Sequence, residues 1–156
     1  MFILYPIIVA LVGFFFFKFD NHDAGAFFFW MLTLVLTAFC GAFWGFGFGC
    51  FFKSEVGATQ ANMLFLMMFC FGAGFYANTG DGANIVVQLI SYISPLRYSS
   101  ELLMRSAMED KPGGDAVLEV FGFTWGTSLC IGILVVFTVV TFFGGWITLL
   151  WKNRKI

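Results

Sequence analysis

Long stretches without a charged residue constrain the fold of this chain more than any other feature of its sequence. Asp, Glu, Lys and Arg are absent from residues 24–52, 56–80 and 120–151. An α-helix rises about 1.5 Å per residue, so roughly 20 apolar residues cross a hydrocarbon core about 30 Å thick. Each of the three runs is long enough to do so. The sequence therefore predicts an all-α membrane protein.

The overall composition excludes other classes. Of the 156 residues, 60% are hydrophobic, 21% are aromatic and only 11% are charged. One small soluble core cannot bury that much apolar surface, so membrane lipid is the expected environment. The formal net charge of -1 provides no basic surface for phosphates, and we expect no nucleic-acid partner.

A fourth apolar run opens the chain at residues 1–17. It lacks the basic start of a signal peptide, and no small-residue cleavage site precedes the polar "KFDNHD", so we interpret it as a span. The predicted spans are residues 2–17, 25–51, 58–77 and 126–151, with an external loop at 78–125.

The charges at the end of the chain predict its orientation. Lys152, Arg154 and Lys155 follow the last span directly, which places the C-terminus in the cytoplasm by the positive-inside rule. We expect an integral, multi-pass protein of the plasma membrane, with an internal membrane as the alternative.

The predicted external loop contains the only strongly charged helical pattern, in "YISPLRYSSELLMRSAMED". Arg97, Glu101, Arg105 and Glu109 recur every four residues, which predicts an amphipathic helix starting at Pro95. The preceding apolar stretch, residues 84–92, is too short to cross a bilayer and is predicted to be re-entrant.

Two interpretations of this helix are open from the residues alone. In the first, Arg97 and Glu101 support an external lid by holding the re-entrant turn against the ends of the third and fourth spans. In the second, the helix is a solvated interfacial element whose exposed charge pairs contribute only a few tenths of a kcal/mol each.

Sequence motifs for metal or nucleotide binding are absent. The four Cys residues lie in or beside the spans without metal-ligand spacing, and "GAFWGFGFG" lacks the Lys-Ser/Thr of a phosphate-binding loop. Gly41, Gly45 and Gly49 instead follow the small-xxx-small pattern of close helix packing. We expect no catalytic residue, metal or cofactor in this chain.

Two segments resemble a known family. "ANMLFLMMFCFGAGFYAN" is similar to the fifth span of G-subfamily ATP-binding cassette exporters, the White-like and pleiotropic-drug-resistance group. "YISPLRYSSELLMRS" resembles their Ser-Pro-x-Arg-Tyr-x-x-Glu segment. The resemblance extends over residues 1–156 as the C-terminal half of an ABC-2 type membrane domain.

The resemblance implies a function as well as a fold. Such exporters move lipids, sterols or hydrophobic small molecules through a cavity between two membrane domains, which form a homodimer or a heterodimer. By motif match, Phe75 and Tyr76 form the external gate. The implied substrate-cavity residues are Met63, Leu66, Met67 and Cys70.

The sequence contains no Walker motif, the motif that binds the phosphates of ATP. We expect this chain not to be an enzyme, and we expect ATP hydrolysis in a linked or separate nucleotide-binding domain. On this interpretation the chain is a fragment, a partial gene model or a separately encoded half. The alternatives are a structural subunit of a larger membrane complex and a fragment of a secondary transporter.

Overall fold

The computed structural model describes residues 4–16, 24–74, 84–108, 112–123 and 125–153, and every regular element within these ranges is an α-helix. This confirms the predicted fold class, an all-α membrane protein. In chain order the helices are α1 (Leu4–Phe16), α2 (Ala24–Phe51), α3 (Glu55–Gly72), α4 (Ile85–Ile93), α5 (Pro95–Met108), α6 (Gly114–Val120) and α7 (Thr127–Asn153).

Two of these helices are long and apolar enough to cross a membrane. They are α2, over Gly25–Phe51, and α7, over Thr127–Asn153. Each of these two segments has 27 residues. Among the described residues, α1 is a shorter apolar helix of 13 residues, and α3 has 18. The third predicted span, residues 58–77, continues past the end of α3 at Gly72, and its last three positions lie outside the described residues.

Helices α2 and α7 form the centre of the fold, and α1 packs against α2. A Cβ added at Gly145 would lie 3.1 Å from the Phe46 ring, so a glycine is needed for α7 to approach α2 this closely. The Phe43 and Phe142 rings meet edge to face across the same interface, with centroids 5.1 Å apart.

A second close contact joins the end of α3 to α4. A Cβ at Gly72 would lie 3.0 Å from the Ile90 carbonyl oxygen, so this position has no room for a larger residue. The chain then turns at Gly74, whose φ of 89° favours glycine. This turn also packs against Phe123, since a Cβ at Gly74 would lie 3.2 Å from that ring.

Helices α4 and α5 follow each other with one residue between them. Asn84 caps α4 by accepting a hydrogen bond from the Val86 amide at 3.1 Å. Pro95 is the first residue of α5, where its missing N–H has no helical partner to lose. The intervening Ser94 donates its hydroxyl to the carbonyl of Phe69 at 2.9 Å, so it ties α5 to α3.

The glycine repeat of α2 has a different role from the one that its pattern predicts. Within the described residues, nothing lies within 4 Å of a Cβ added at Gly41 or Gly49, and Gly45 meets only the Asn62 amide, at 3.9 Å. The repeat therefore does not bring two backbones of this chain together. It lines open space between α2 and α3 instead.

Candidate functional site

Helix α5 carries Arg97, Glu101 and Arg105, yet its first half is buried. Every residue of Pro95–Leu102 except Leu96 is buried, and Glu101 has no exposed surface at all. Ionisable side chains within a membrane protein normally face its interior and have specific partners. The expectation of a solvated interfacial helix is therefore wrong for this half of α5.

Arg97 links α5 to two other segments. Its guanidinium donates to the Ser91 hydroxyl of α4 and, at 2.9 Å, to the carbonyl of Gly122. The same group lies over the Tyr92 ring, 5.4 Å from the centroid, within the range of a cation–π contact. Arg97 thus joins α4 to the segment between α6 and α7.

Glu101 binds the chain just before α7. Its carboxylate accepts a hydrogen bond from the Trp125 amide at 2.7 Å and one from Arg105 at 3.2 Å. The donor, Trp125, lies two residues before the first residue of α7, and the partial positive charge of a helix N-terminus favours an anion there. Glu101 therefore holds the start of a predicted span.

Arg105 completes this arrangement from the same helix. One of its nitrogens donates to the Trp125 carbonyl at 2.7 Å and to the Phe123 carbonyl at 3.3 Å, besides its ion pair with Glu101. Glu101 therefore forms its ion pair with Arg105, while Arg97 binds Ser91 and Gly122.

Hydroxyl groups on the same side of α5 bind the end of α3. The Ser100 hydroxyl donates to the Ala73 carbonyl at 3.0 Å, and Ser94 binds Phe69 as described above. The last carbonyls of a helix lack intrahelical partners, so these hydroxyls satisfy groups that would otherwise be unpaired. We call Ser91, Ser94, Arg97, Ser100, Glu101 and Arg105 the α5 polar cluster.

The polar cluster is not fully satisfied within the described residues. The Nε atoms of Arg97 and Arg105 and one carboxylate oxygen of Glu101 are buried without a hydrogen-bond partner there. Burial raises the pKa of the Glu101 carboxyl, although the hydrogen bonds from Arg105 and Trp125 oppose the shift. Burial of these charges therefore costs free energy, and the fold depends on the partners that offset this cost.

Among the described residues, the four proposed substrate-cavity residues are not brought together around one cavity. Met63 and Met67 are 63% and 60% exposed on the open side of α3, whereas Cys70 is half-buried. Leu66 borders a separate space between α2, α3, α5 and α7. The proposed gate residues, Phe75 and Tyr76, lie outside the described residues.

That separate space is a cavity of about 120 Å³, which we call the inner cavity. Trp44, Asn62 and Phe137 contribute to its walls, and Leu96 reaches it from α5. The indole N–H of Trp44 is buried and has no hydrogen-bond partner in the described part of the chain. Trp44 could not be predicted as a site residue from the sequence, because one Trp among many aromatic residues carries no spacing signal.

A polar vestibule of about 590 Å³ lies next to the inner cavity. Lys53, Glu55 and Lys152 line it, and the Gly45–Gly49 part of the glycine repeat forms one wall. Asn62 lines both spaces. The groove between α2 and α3 is therefore charged at one end and apolar at the other.

These features define a membrane protein in which two long apolar helices are held at one end by a buried polar helix. Comparison with protein families gives the class a name: the model of the ABC-2 type transporter family matches residues 1–108, from the first residue to the end of α5. The chain therefore belongs to the ABC-2 type transporter family. A comparison with curated proteins found no significant match.

Proposed function

We propose that this chain is part of the membrane domain of an ATP-driven exporter of the G subfamily, which carries lipids, sterols or hydrophobic small molecules. The single observation that carries the proposal is membership of the ABC-2 type transporter family, whose match includes the α5 polar cluster. Energy would come from ATP hydrolysis in a linked or separate nucleotide-binding domain, and the location would be the plasma membrane.

The open side of α3 supports a paired arrangement. Met63, Leu64, Met67 and Phe71 are more than half exposed along this side. In the proposed exporter, a second membrane domain, identical or different, faces this surface, and Met63, Leu66, Met67 and Cys70 contribute to a shared substrate cavity.

The α5 polar cluster acts in this proposal as the support of the external lid. Arg97 and Glu101 fix α4 and the start of α7 relative to the end of α3, which is where Phe75 and Tyr76 follow in sequence. The two aromatic residues would close the exit against their counterparts in the second domain.

The partner is tested by copurification from native membranes. A tagged chain should copurify with a polypeptide that carries a Walker motif, or be found within a longer polypeptide that carries one. Recovery of this chain in a stable complex without any ATP-binding domain would favour a structural subunit instead.

The cavity is tested by ATPase and export assays on the transporter that contains this chain. Met67→Trp should reduce export by filling the shared cavity, whereas the equally exposed Ile147→Trp on α7 should leave export unchanged. Equal effects of the two substitutions would contradict the assignment of the cavity.

The gate is tested in the same assays. Replacing both Phe75 and Tyr76 with Ala should leave the transporter assembled and hydrolysing ATP while export becomes uncoupled or the exit leaks. Fully coupled export at the normal rate would reject the gate.

A further inference from the structure

We infer that the vestibule and the inner cavity form one binding site, within a single chain, for an anionic lipid with one acyl chain, such as a fatty acid or a lysophospholipid. The site lies between α2 and α3, and of the four residues proposed for the substrate cavity only Leu66 lines it. It does not require a second membrane domain.

The vestibule and the inner cavity are adjacent. Asn62 lines both, and Gly41 of the inner cavity is one helical turn from Gly45 of the vestibule. Because a Cβ at Gly41 would have no neighbour within 4 Å, the floor of the groove is unobstructed by the described residues. A chain that occupied both spaces would run past Asn62.

Charge distribution selects the head group. Lys53 and Lys152 come from different parts of the chain and line the same vestibule, with Glu55 as the opposing carboxylate. Two cations against one anion favour a ligand with a negative head group. All three side chains belong to exposed residues, so the head group remains hydrated.

The inner cavity selects a single apolar chain. Its volume of about 120 Å³ is similar to that of engineered apolar cavities that bind benzene, so it has room for a short aliphatic segment but not for a sterol ring system. Leu66, Leu96 and Phe137 supply apolar walls.

Polar groups between the two ends fit the linkage of such a lipid. The Asn62 amide makes no hydrogen bond to the described residues, and the indole N–H of Trp44 is buried and unpartnered there. A carboxylate or ester oxygen at the junction would accept from these donors and remove the cost of leaving a buried donor unpaired.

Trp44 provides the direct assay. The full chain, purified in a nonionic detergent, is titrated with a fatty acid brominated on its chain, which quenches tryptophan fluorescence on contact. Saturable quenching at one equivalent is expected, and Trp44→Phe should remove this component. Quenching that rises linearly and is unchanged in Trp44→Phe would overturn the proposal.

Matched glycine variants test the location. Gly41→Leu fills the inner cavity and should abolish saturable binding. Gly47→Leu is the matched control and should preserve it. Position 47 lies on the same helix, also has no neighbour within 4 Å of an added Cβ, and lines neither space. If Gly41→Leu does not fold, Leu66→Phe blocks the same cavity from α3. Equal binding by the blocked and control variants would reject the site.

Head-group selectivity separates the possible lipid sources. The fatty acid and lysophosphatidylglycerol should both displace the probe, whereas lysophosphatidylcholine and the corresponding fatty alcohol should not. Replacing Lys53 and Lys152 with Gln should remove this preference. Displacement by all four lipids with equal affinity would show that the groove accepts any apolar chain and would contradict the assigned head-group site.

Discussion

The α5 end and the vestibule end of the molecule differ in how the protein treats polar groups. At the α5 end, the charges are buried and bind backbone atoms of several segments, as with Arg97 to Gly122 and Glu101 to Trp125. At the vestibule end, Lys53 and Lys152 remain exposed around an open space. The first arrangement fixes helices relative to one another, and the second leaves room for a ligand.

Charged residues therefore have two separate uses in this member of the family. A buried charge that loses its partner destabilises the fold strongly, whereas an exposed charge contributes little to stability. Substitutions at the two ends should therefore have very different effects on unfolding.

The largest effect is expected from Glu101→Ala. It leaves the Trp125 amide and Arg105 without their buried acceptor, and removal of one partner of a buried ion pair costs about 3–5 kcal/mol. The free energy of unfolding in detergent should fall by this amount. Glu119→Ala, at an exposed position of α6, is the control and should leave it nearly unchanged.

Arg97→Ala should have the next largest effect. The Ser91 hydroxyl and the Gly122 carbonyl lose a buried donor, at a cost of about 1–3 kcal/mol. Lys53→Ala at the vestibule should change stability by less than about 1 kcal/mol, because an exposed charge contributes little to stability. A loss for Lys53→Ala as large as that for Arg97→Ala would break the contrast between the two ends.

Gly72→Ala tests the contact between α3 and α4. The added methyl group would lie 3.0 Å from the Ile90 carbonyl oxygen, and overpacking of this kind costs about 1–3 kcal/mol. Gly47→Ala has no such neighbour and should be neutral or stabilising, because Ala favours helix by up to about 1 kcal/mol. Thermal unfolding of both variants measures the difference.

The smallest effect is expected from Thr37→Val. The Thr37 hydroxyl lies 2.7 Å from that of Ser99, which links α2 to α5. Hydrogen bonds between helices in membrane proteins average about 0.6 kcal/mol. A double-mutant cycle with Ser99→Ala should give a coupling free energy of this size. A coupling as large as the loss expected for Glu101→Ala would mean that this hydroxyl pair stabilises the fold as much as the buried carboxylate does.

The helical class and the start of α5 at Pro95 could be predicted because long uncharged runs and a Ser-Pro pair are local signals. The bonds from Arg97 to Gly122 and from Trp125 to Glu101 could not, because these partners lie 25 and 24 positions further along the chain. A four-residue charge repeat looks the same whether it is exposed or buried. Only the packing of α5 against α2 and α7 decides this.

The groove between α2 and α3 could not be predicted from the sequence for a related reason. Gly41, Gly45 and Gly49 fit the pattern of a close helix contact. A run of small residues leaves space beside a helix, and either a neighbouring backbone or a cavity can occupy that space. The distinction depends on where α3 lies, which no feature of α2 specifies. Asn62 gave the one local hint, since an amide within an apolar helix requires a polar neighbour or a polar space.

The most direct test of the contrast between the two ends is cysteine labelling in nanodiscs, where both faces of the membrane are accessible. Ala58→Cys in the vestibule should react rapidly with a water-soluble maleimide, and Ser100→Cys in the α5 polar cluster should react slowly, with peptide mapping to separate both from the four native cysteines. Adding Glu101→Ala should accelerate labelling at position 100 and leave position 58 unchanged. Equal rates at the two positions in the otherwise unaltered chain would contradict the account.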